Sequence, residues 1–266
     1  MRLIDTHAHL QYSFGEIGDN ATQPKPDSLE EISAVVARAK EVGVVKMLNV
    51  GTSLADSAHV NKISENFGNV FKVFGVHPHN AHELASEEGR GVFEKLLDQG
   101  CPVAIGEIGL DFYQMQNSKD EQFVAFEYQL KLAKEKGLPV CIHTRDAFAE
   151  THELLKRYGS RGLIHSFTGD YDWAMKFIDL GFLIAFNGIV TFKNSKSLQD
   201  AAQRIPLEKM LLETDSPFLS PEPERGKVNE PAKVRFTAAK IAELRGITVE
   251  EVGEETSRNA ENLFGI

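Results

Sequence analysis

Short apolar runs alternate with longer segments of helical period along the whole chain. The runs are Leu3 to Thr6, Val45 to Val50, Phe71 to Gly75, Val103 to Glu107, Val140 to His143, Gly162 to His165, Phe182 to Phe186 and Met210 to Glu213. Between and after them, Leu29 to Glu41, Leu54 to Asn66, Gly91 to Gln99 and Tyr171 to Leu180 space their apolar residues along one helical face. Ser118 and Glu121 form a capping-box pair, Phe123, Phe126, Leu130 and Ala133 follow at helical spacing, and Gly137 with Pro139 ends the segment. Pro231 to Arg245 and Val249 to Phe264 complete the helical set. Strand-like runs alternating with helices predict an α/β fold, a (β/α)8 TIM barrel.

No Pro/Gly/Ser-rich linker interrupts the pattern, so residues 1–266 read as a single barrel domain. At 266 residues the chain is within the usual size of such a barrel. Gln11 to Ser28, with Gly15, Gly18, Pro24 and Pro26, does not fit the alternation and reads as a long irregular loop after the first strand.

The polar residues fall in a consistent place. Val103, Ile105 and Glu107 share a strand face, as do Cys141 with His143, Leu163 with His165, and Leu211 with Glu213 and Asp215. Apolar positions lead up to a polar group at the C-terminal end of each run, the end at which barrel enzymes build their sites. The pair His7 and His9 alone reads better as two surface or capping histidines. Six residues from five strands, His7, His9, Glu107, His143, His165 and Asp215, are harder to explain as packing. Four imidazoles and two carboxylates exceed what one tetrahedral ion needs and suit two divalent ions bridged by a carboxylate, for which Glu107 is the candidate. Nitrogen and oxygen donors without thiolate are compatible with Mg, Mn, Zn or Fe. Such a centre points to hydrolysis, with Asp215 both ligating and acting as general base on the attacking water.

Further groups lie beyond the strand ends. Pro78 suggests a fixed turn that presents His77 or that His77 itself stabilises, and Arg145 could grip an oxyanion in bidentate fashion or pair with Asp146. Arg225, Lys227 and Asn229, in the Pro-rich stretch Pro221 to Pro231, could clamp phosphate or belong to a solvated loop.

Composition narrows the setting. With 42% hydrophobic and 26% charged residues the chain is ordinary and globular, and no apolar run approaches the roughly 18 residues that span a bilayer. Neither a signal sequence nor membrane attachment is expected. Two cysteines, each beside a strand, read as reduced thiols and favour the cytoplasm. A net charge of −10 disfavours a broad grip on nucleic acid but leaves room for a nuclease whose positive charge is local metal. No obligate protein partner is indicated.

The ordered segments Asp-Thr-His-Ala-His-Leu at 5–10, Gly-Val-His-Pro-His at 75–79, Gly-Glu-Ile-Gly-Leu-Asp-Phe at 106–112, Ile-His-Thr-Arg-Asp-Ala at 142–147, His-Ser-Phe-Thr-Gly at 165–169, Leu-Glu-Thr-Asp-Ser-Pro at 212–217 and Asn-Glu-Pro-Ala at 229–232 resemble the TatD family of metal-dependent hydrolases. The resemblance spans nearly the whole chain. It implies an amidohydrolase-like TIM barrel, two divalent metals and a metal-dependent, often exonucleolytic deoxyribonuclease activity with DNA as substrate. It carries over His7, His9, Glu107, His143, His165 and Asp215 as metal ligands, His77 as a residue near the substrate phosphate, and Arg145 and Asn229 as residues lining the site. Val228 stands where the family pattern often has a second arginine. Two other readings keep the same residues: hydrolysis of an ester or amide such as aminoacyl-tRNA, and a metal-binding scaffold without activity.

Overall fold

The computed structural model describes residues 1–12 and 28–266. Eight parallel strands lie in sequence order around a nearly closed barrel: β1 (Leu3–Ala8), β2 (Val44–Val50), β3 (Val70–Phe74), β4 (Ala104–Asp111), β5 (Val140–Arg145), β6 (Gly162–Ile164), β7 (Leu183–Phe186) and β8 (Met210–Leu212). Past the end of β8 the chain meets β1, where a bridge joins Ala8 to Ser216. There the Asp215 N–H donates to His7 O at 2.9 Å and the His9 N–H to Ser216 O at 2.8 Å. The expected barrel is therefore present.

Helices α1 (Leu29–Glu41), α2 (Leu54–Ser64), α3 (Glu87–Gly100), α4 (Lys119–Lys136), α5 (Phe148–Tyr158), α6 (Tyr171–Asp179), α7 (Lys196–Arg204), α8 (Val234–Arg245) and α9 (Val249–Phe264) connect and follow the strands. The capping box of α4 forms as its sequence indicates, and Ser28, Ser53, Ser86, Asp170 and Thr248 also accept a backbone N–H at helix starts. Each such cap stabilises its helix by about 1 kcal/mol. The apolar pattern did not single out α5 or α7. In α5 the buried face is Thr151, Leu154 and Leu155 flanked by half-buried Phe148 and Tyr158, and in α7 it is Leu198 with two alanines, so α7 lacks a stripe of large residues.

The packing divides into two layers. Ile4, Leu48, Val50, Val73, Ala104, Cys141, Leu163, Ala185 and Leu211, drawn from all eight strands, form one cluster with Ala260 and Phe264 of α9. This cluster fills the barrel and is plugged at its N-terminal end by α9. The larger cluster lies between strands and surrounding helices and includes Phe74, Phe93, Phe126 and Phe177. Burying each such side chain contributes about 2 kcal/mol.

Strand boundaries shift by a few residues from the sequence pattern, and two of the shifts bear on the site. β4 runs on to Asp111 rather than stopping at Glu107, because its glycines allow close strand approach instead of ending the strand. At Gly109, with φ +147°, a Cβ would lie 1.8 Å from His143 O. β8 ends at Leu212, so Glu213 and Asp215 belong to the following turn rather than to one strand face. Asp215 there takes φ +58°, a left-handed conformation that Asp tolerates better than most residues. Apart from Gln11, Tyr12 and Ser28, the irregular loop expected over Gln11 to Ser28 lies outside the described residues.

Candidate metal centre

At the C-terminal end of the barrel, β1 and its extension supply His7 and His9, β4 supplies Glu107, β5 supplies His143, and the segments after β6 and β8 supply His165 and Asp215. The six side chains converge. Glu107 Oε2 is 3.5 Å from His7 Nε2, while its Oε1 is 2.8 Å from His143 Nδ1, 3.6 Å from His77 Nε2 and 3.8 Å from His165 Nε2. Asp215 Oδ1 lies 3.5 Å from His9 Nε2 and 3.7 Å from His165 Nε2. His7 and His9 bring their Nε2 atoms within 3.2 Å of each other, and the rings of His7 and His165 stack at 3.5 Å.

Each imidazole is oriented by a partner behind it. His9 Nδ1 donates to Val50 O at 2.8 Å, leaving Nε2 to face the centre. His165 Nδ1 contacts Glu213 Oε2 at 2.9 Å, and the other oxygen of this fully buried carboxylate accepts the Ser166 N–H at 2.6 Å. His7 Nδ1 is backed by Cys141 Sγ at 3.3 Å. His143 has the reverse orientation: Nδ1 faces Glu107, and Nε2 rests on Asp111 Oδ2 at 3.2 Å. Carboxylates and carbonyls behind the imidazoles fix ring orientation and raise ligand basicity.

Asp5 performs the same service for the backbone. Its Oδ1 accepts the N–H groups of His7 and Thr214 at 3.2 and 2.9 Å, and its Oδ2 accepts the Thr214 hydroxyl at 2.6 Å. It thereby ties the histidine pair to the Asp215 turn. Burial pushes the Asp5 carboxyl up to about 8 against these donated bonds.

The electrostatics match a cation site. Burial opposes ionisation of Glu107 and Asp215, but the surrounding imidazoles dominate and hold both below the ordinary carboxylate range. Burial likewise opposes charge on His165 and His143, yet neighbouring carboxylates raise them to about 10 and about 9. Donor atoms of His7, His9 and Glu107 all lie within 4.8 Å of one another, as do those of His77, Glu107 and His143. Hard and borderline donors gathered this way fit divalent ions.

His77 differs from the other imidazoles. Its Nδ1 accepts the His79 N–H at 3.1 Å, so the neutral ring carries its proton on Nε2, beside Glu107. Burial and the adjacent His143 push its pKa well below the ordinary value, which keeps it neutral. It is therefore a hydrogen-bond donor pointing into the centre. Arg145 lies on the wall of the cavity above the centre, which has a volume of about 810 Å³.

Asn229 does not reach that wall. Its amide is fully buried and donates to Thr214 O at 2.8 Å and Phe218 O at 2.5 Å, so it braces the turn after β8 instead of lining the site. The sequence reading passed over Glu213, Asp111, Asp5 and Cys141. The signal for Asp111 was its parity with Glu107, visible once β4 is carried through its glycines. Glu213 stood beside Asp215 in the same motif, with nothing in the pattern to separate ligand from support.

The family model for TatD related DNase matches residues 4–265 of this chain. The chain belongs to the TatD family. Among TatD proteins and their relatives, the uncharacterized metal-dependent hydrolase YabD of Bacillus subtilis is 39% identical over 267 residues, 99% of each chain. The 3'-5' ssDNA/RNA exonuclease TatD of Klebsiella pneumoniae is 34% identical over 240 residues, 87% of this chain and 91% of that one. The crystal structure of YJJV, a TatD homolog from Escherichia coli, covers 100% of this chain and 98% of its own with a TM-score of 0.88 at 28% identity. The protein is thus a metal-dependent hydrolase of the TatD family, and among its described residues no helix is long and apolar enough to cross a membrane.

Proposed function

We propose that this protein is a nuclease that hydrolyses DNA phosphodiester bonds from strand ends, using two divalent ions held by His7, His9, Glu107, His143, His165 and Asp215 within one barrel domain. The observation that carries the reading is Glu107, one of whose oxygens faces His7 and the other His143 and His165, in the manner of a bridging ligand. The name of the Klebsiella relative supports nucleic acid as the substrate. When bound, divalent ions would acidify a water and stabilise the charge on the attacking and leaving oxygens of a phosphodiester.

The chain's own groups supply the rest. Asp215, held ionised and facing the centre, would orient the attacking water and accept its proton. His77 Nε2–H would donate to a non-bridging phosphate oxygen, and Arg145 would hold the adjacent phosphate with two parallel N–H groups. His9, Glu107, His143, His165 and Asp215 line the cavity, where a strand end would reach them without melting a duplex interior. The test is release of nucleotides from end-labelled single-stranded and duplex DNA with Mg, Mn or Zn, alongside EDTA and Glu107→Ala. Stepwise shortening that needs metal and disappears in the variant is the expected result. Full activity in EDTA or in Glu107→Ala would refute the reading.

A further inference from the structure

We propose that Tyr113, with Arg145 laid against it, is a stacking platform for an unpaired nucleobase at the mouth of the metal cavity. This rests on the nuclease reading and names the form of substrate it takes, a single-stranded end. After β4 the chain exposes four consecutive residues, Tyr113, Gln114, Met115 and Gln116, between half-buried Phe112 and buried Asn117. Gln114 and Gln116 stand on the cavity wall together with Arg145. Tyr113 remains 62% exposed and Met115 48%, although both are large and largely apolar. The other exposed large apolar side chains among the described residues lie on helices or at the N-terminal ends of β1 and β2.

The ring is held rather than loose. Asp111 Oδ1 accepts the N–H groups of Tyr113 and Gln114 at 2.9 and 2.7 Å, so the carboxylate that backs His143 also fixes the base of the platform. The Arg145 guanidinium lies 3.8 Å from the centre of the Tyr113 ring. No ion pair among the described residues occupies Arg145, which leaves its N–H edge for phosphate while its face completes the stack. An aromatic ring beside a phosphate-binding cation is how single-stranded nucleic acid is held without sequence preference. Because the protein as a whole is acidic, with net charge −10, a local contact of this kind must supply grip that a basic track would give elsewhere. A base still paired and stacked in a duplex cannot occupy the platform.

The test compares a short single-stranded oligodeoxynucleotide with its fully abasic counterpart, which keeps every phosphate and lacks every base. Tyr113→Ala should lower kcat/KM on the base-bearing strand by about tenfold or more, the size of one base–aromatic stack, chiefly through KM. The same variant should leave the abasic strand within twofold, and Tyr113→Phe should behave as the parent on both. In EDTA, a strand carrying 2-aminopurine should lose fluorescence on binding the parent and Tyr113→Phe proteins but not Tyr113→Ala. Equal losses on both strands would mean that Tyr113 only props Arg145, and either that result or no loss overturns the platform while leaving the nuclease reading intact. A parent protein that hydrolyses neither strand overturns the nuclease reading, and the platform with it.

Discussion

Glu213→Gln isolates the support behind one imidazole. In the parent, two donors, the His165 ring Nδ1–H at 2.9 Å and the Ser166 N–H at 2.6 Å, meet the two oxygens of one fully buried carboxylate. Glutamine keeps the volume but has a single acceptor. Whichever way its amide turns, one donor faces the NH2 group and is left unpaired. A buried donor without a partner costs about 1–3 kcal/mol. If the amide favours Ser166, His165 loses its orientation and the cost falls on metal affinity, as about 10- to 100-fold weaker binding. If it favours His165, the cost falls on the fold as a loss of about 1–3 kcal/mol in urea unfolding. The assay strips metal with a chelator, titrates Mn or Zn against an indicator, and follows unfolding of the same preparations. In a His165→Ala background the variant should add little further loss of affinity, since it acts through that ring. Parent-like affinity and stability together, or affinity losses that simply add in the double variant, would refute the reasoning.

Two further outcomes follow from groups outside the six candidate ligands. Asn229→Asp should destabilise more than Asn229→Ala in urea melts, by several kcal/mol, because it points a carboxylate oxygen at the carbonyls of Thr214 and Phe218 where an amide donated; an equal or smaller effect than alanine would contradict the bracing role. Glu261, a quarter exposed, accepts from Arg2 and from Lys46 at 2.6 Å, and these bonds hold its carboxyl below the ordinary range. A depressed folded pKa stabilises above the unfolded carboxyl value of about 4.3 and loses that contribution as pH falls through the folded one. Glu261→Gln should therefore lower stability by up to about 1 kcal/mol at pH 7, with the deficit shrinking toward zero in increasingly acid buffers.

The barrel was legible because eight apolar runs recur between helical segments, and the six central residues because each ends such a run or sits just past one. What stayed hidden was local or relational. The stripe of α7 is Leu198 with two alanines, and hydrophobic period weighs alanine lightly. Glycines in β4 read as an end where they allow contact. Asn229 was placed on the site by its motif, yet its amide is consumed by backbone carbonyls, a matter of which way one side chain turns. Support by Glu213, Asp111 and Asp5 depends on pairings that no single stretch of sequence contains.

The clasp made by Asp5 on Thr214 joins residues 209 positions apart. The histidine pair precedes the Asp215 turn by the whole barrel, and the bonds that join the two form only when the turn after β8 arrives. A nascent chain on the ribosome therefore carries an open pair of imidazoles and no enclosed ion site until nearly all of the barrel has emerged. A chain truncated before residue 214 would lack both that clasp and the Asp215 carboxylate.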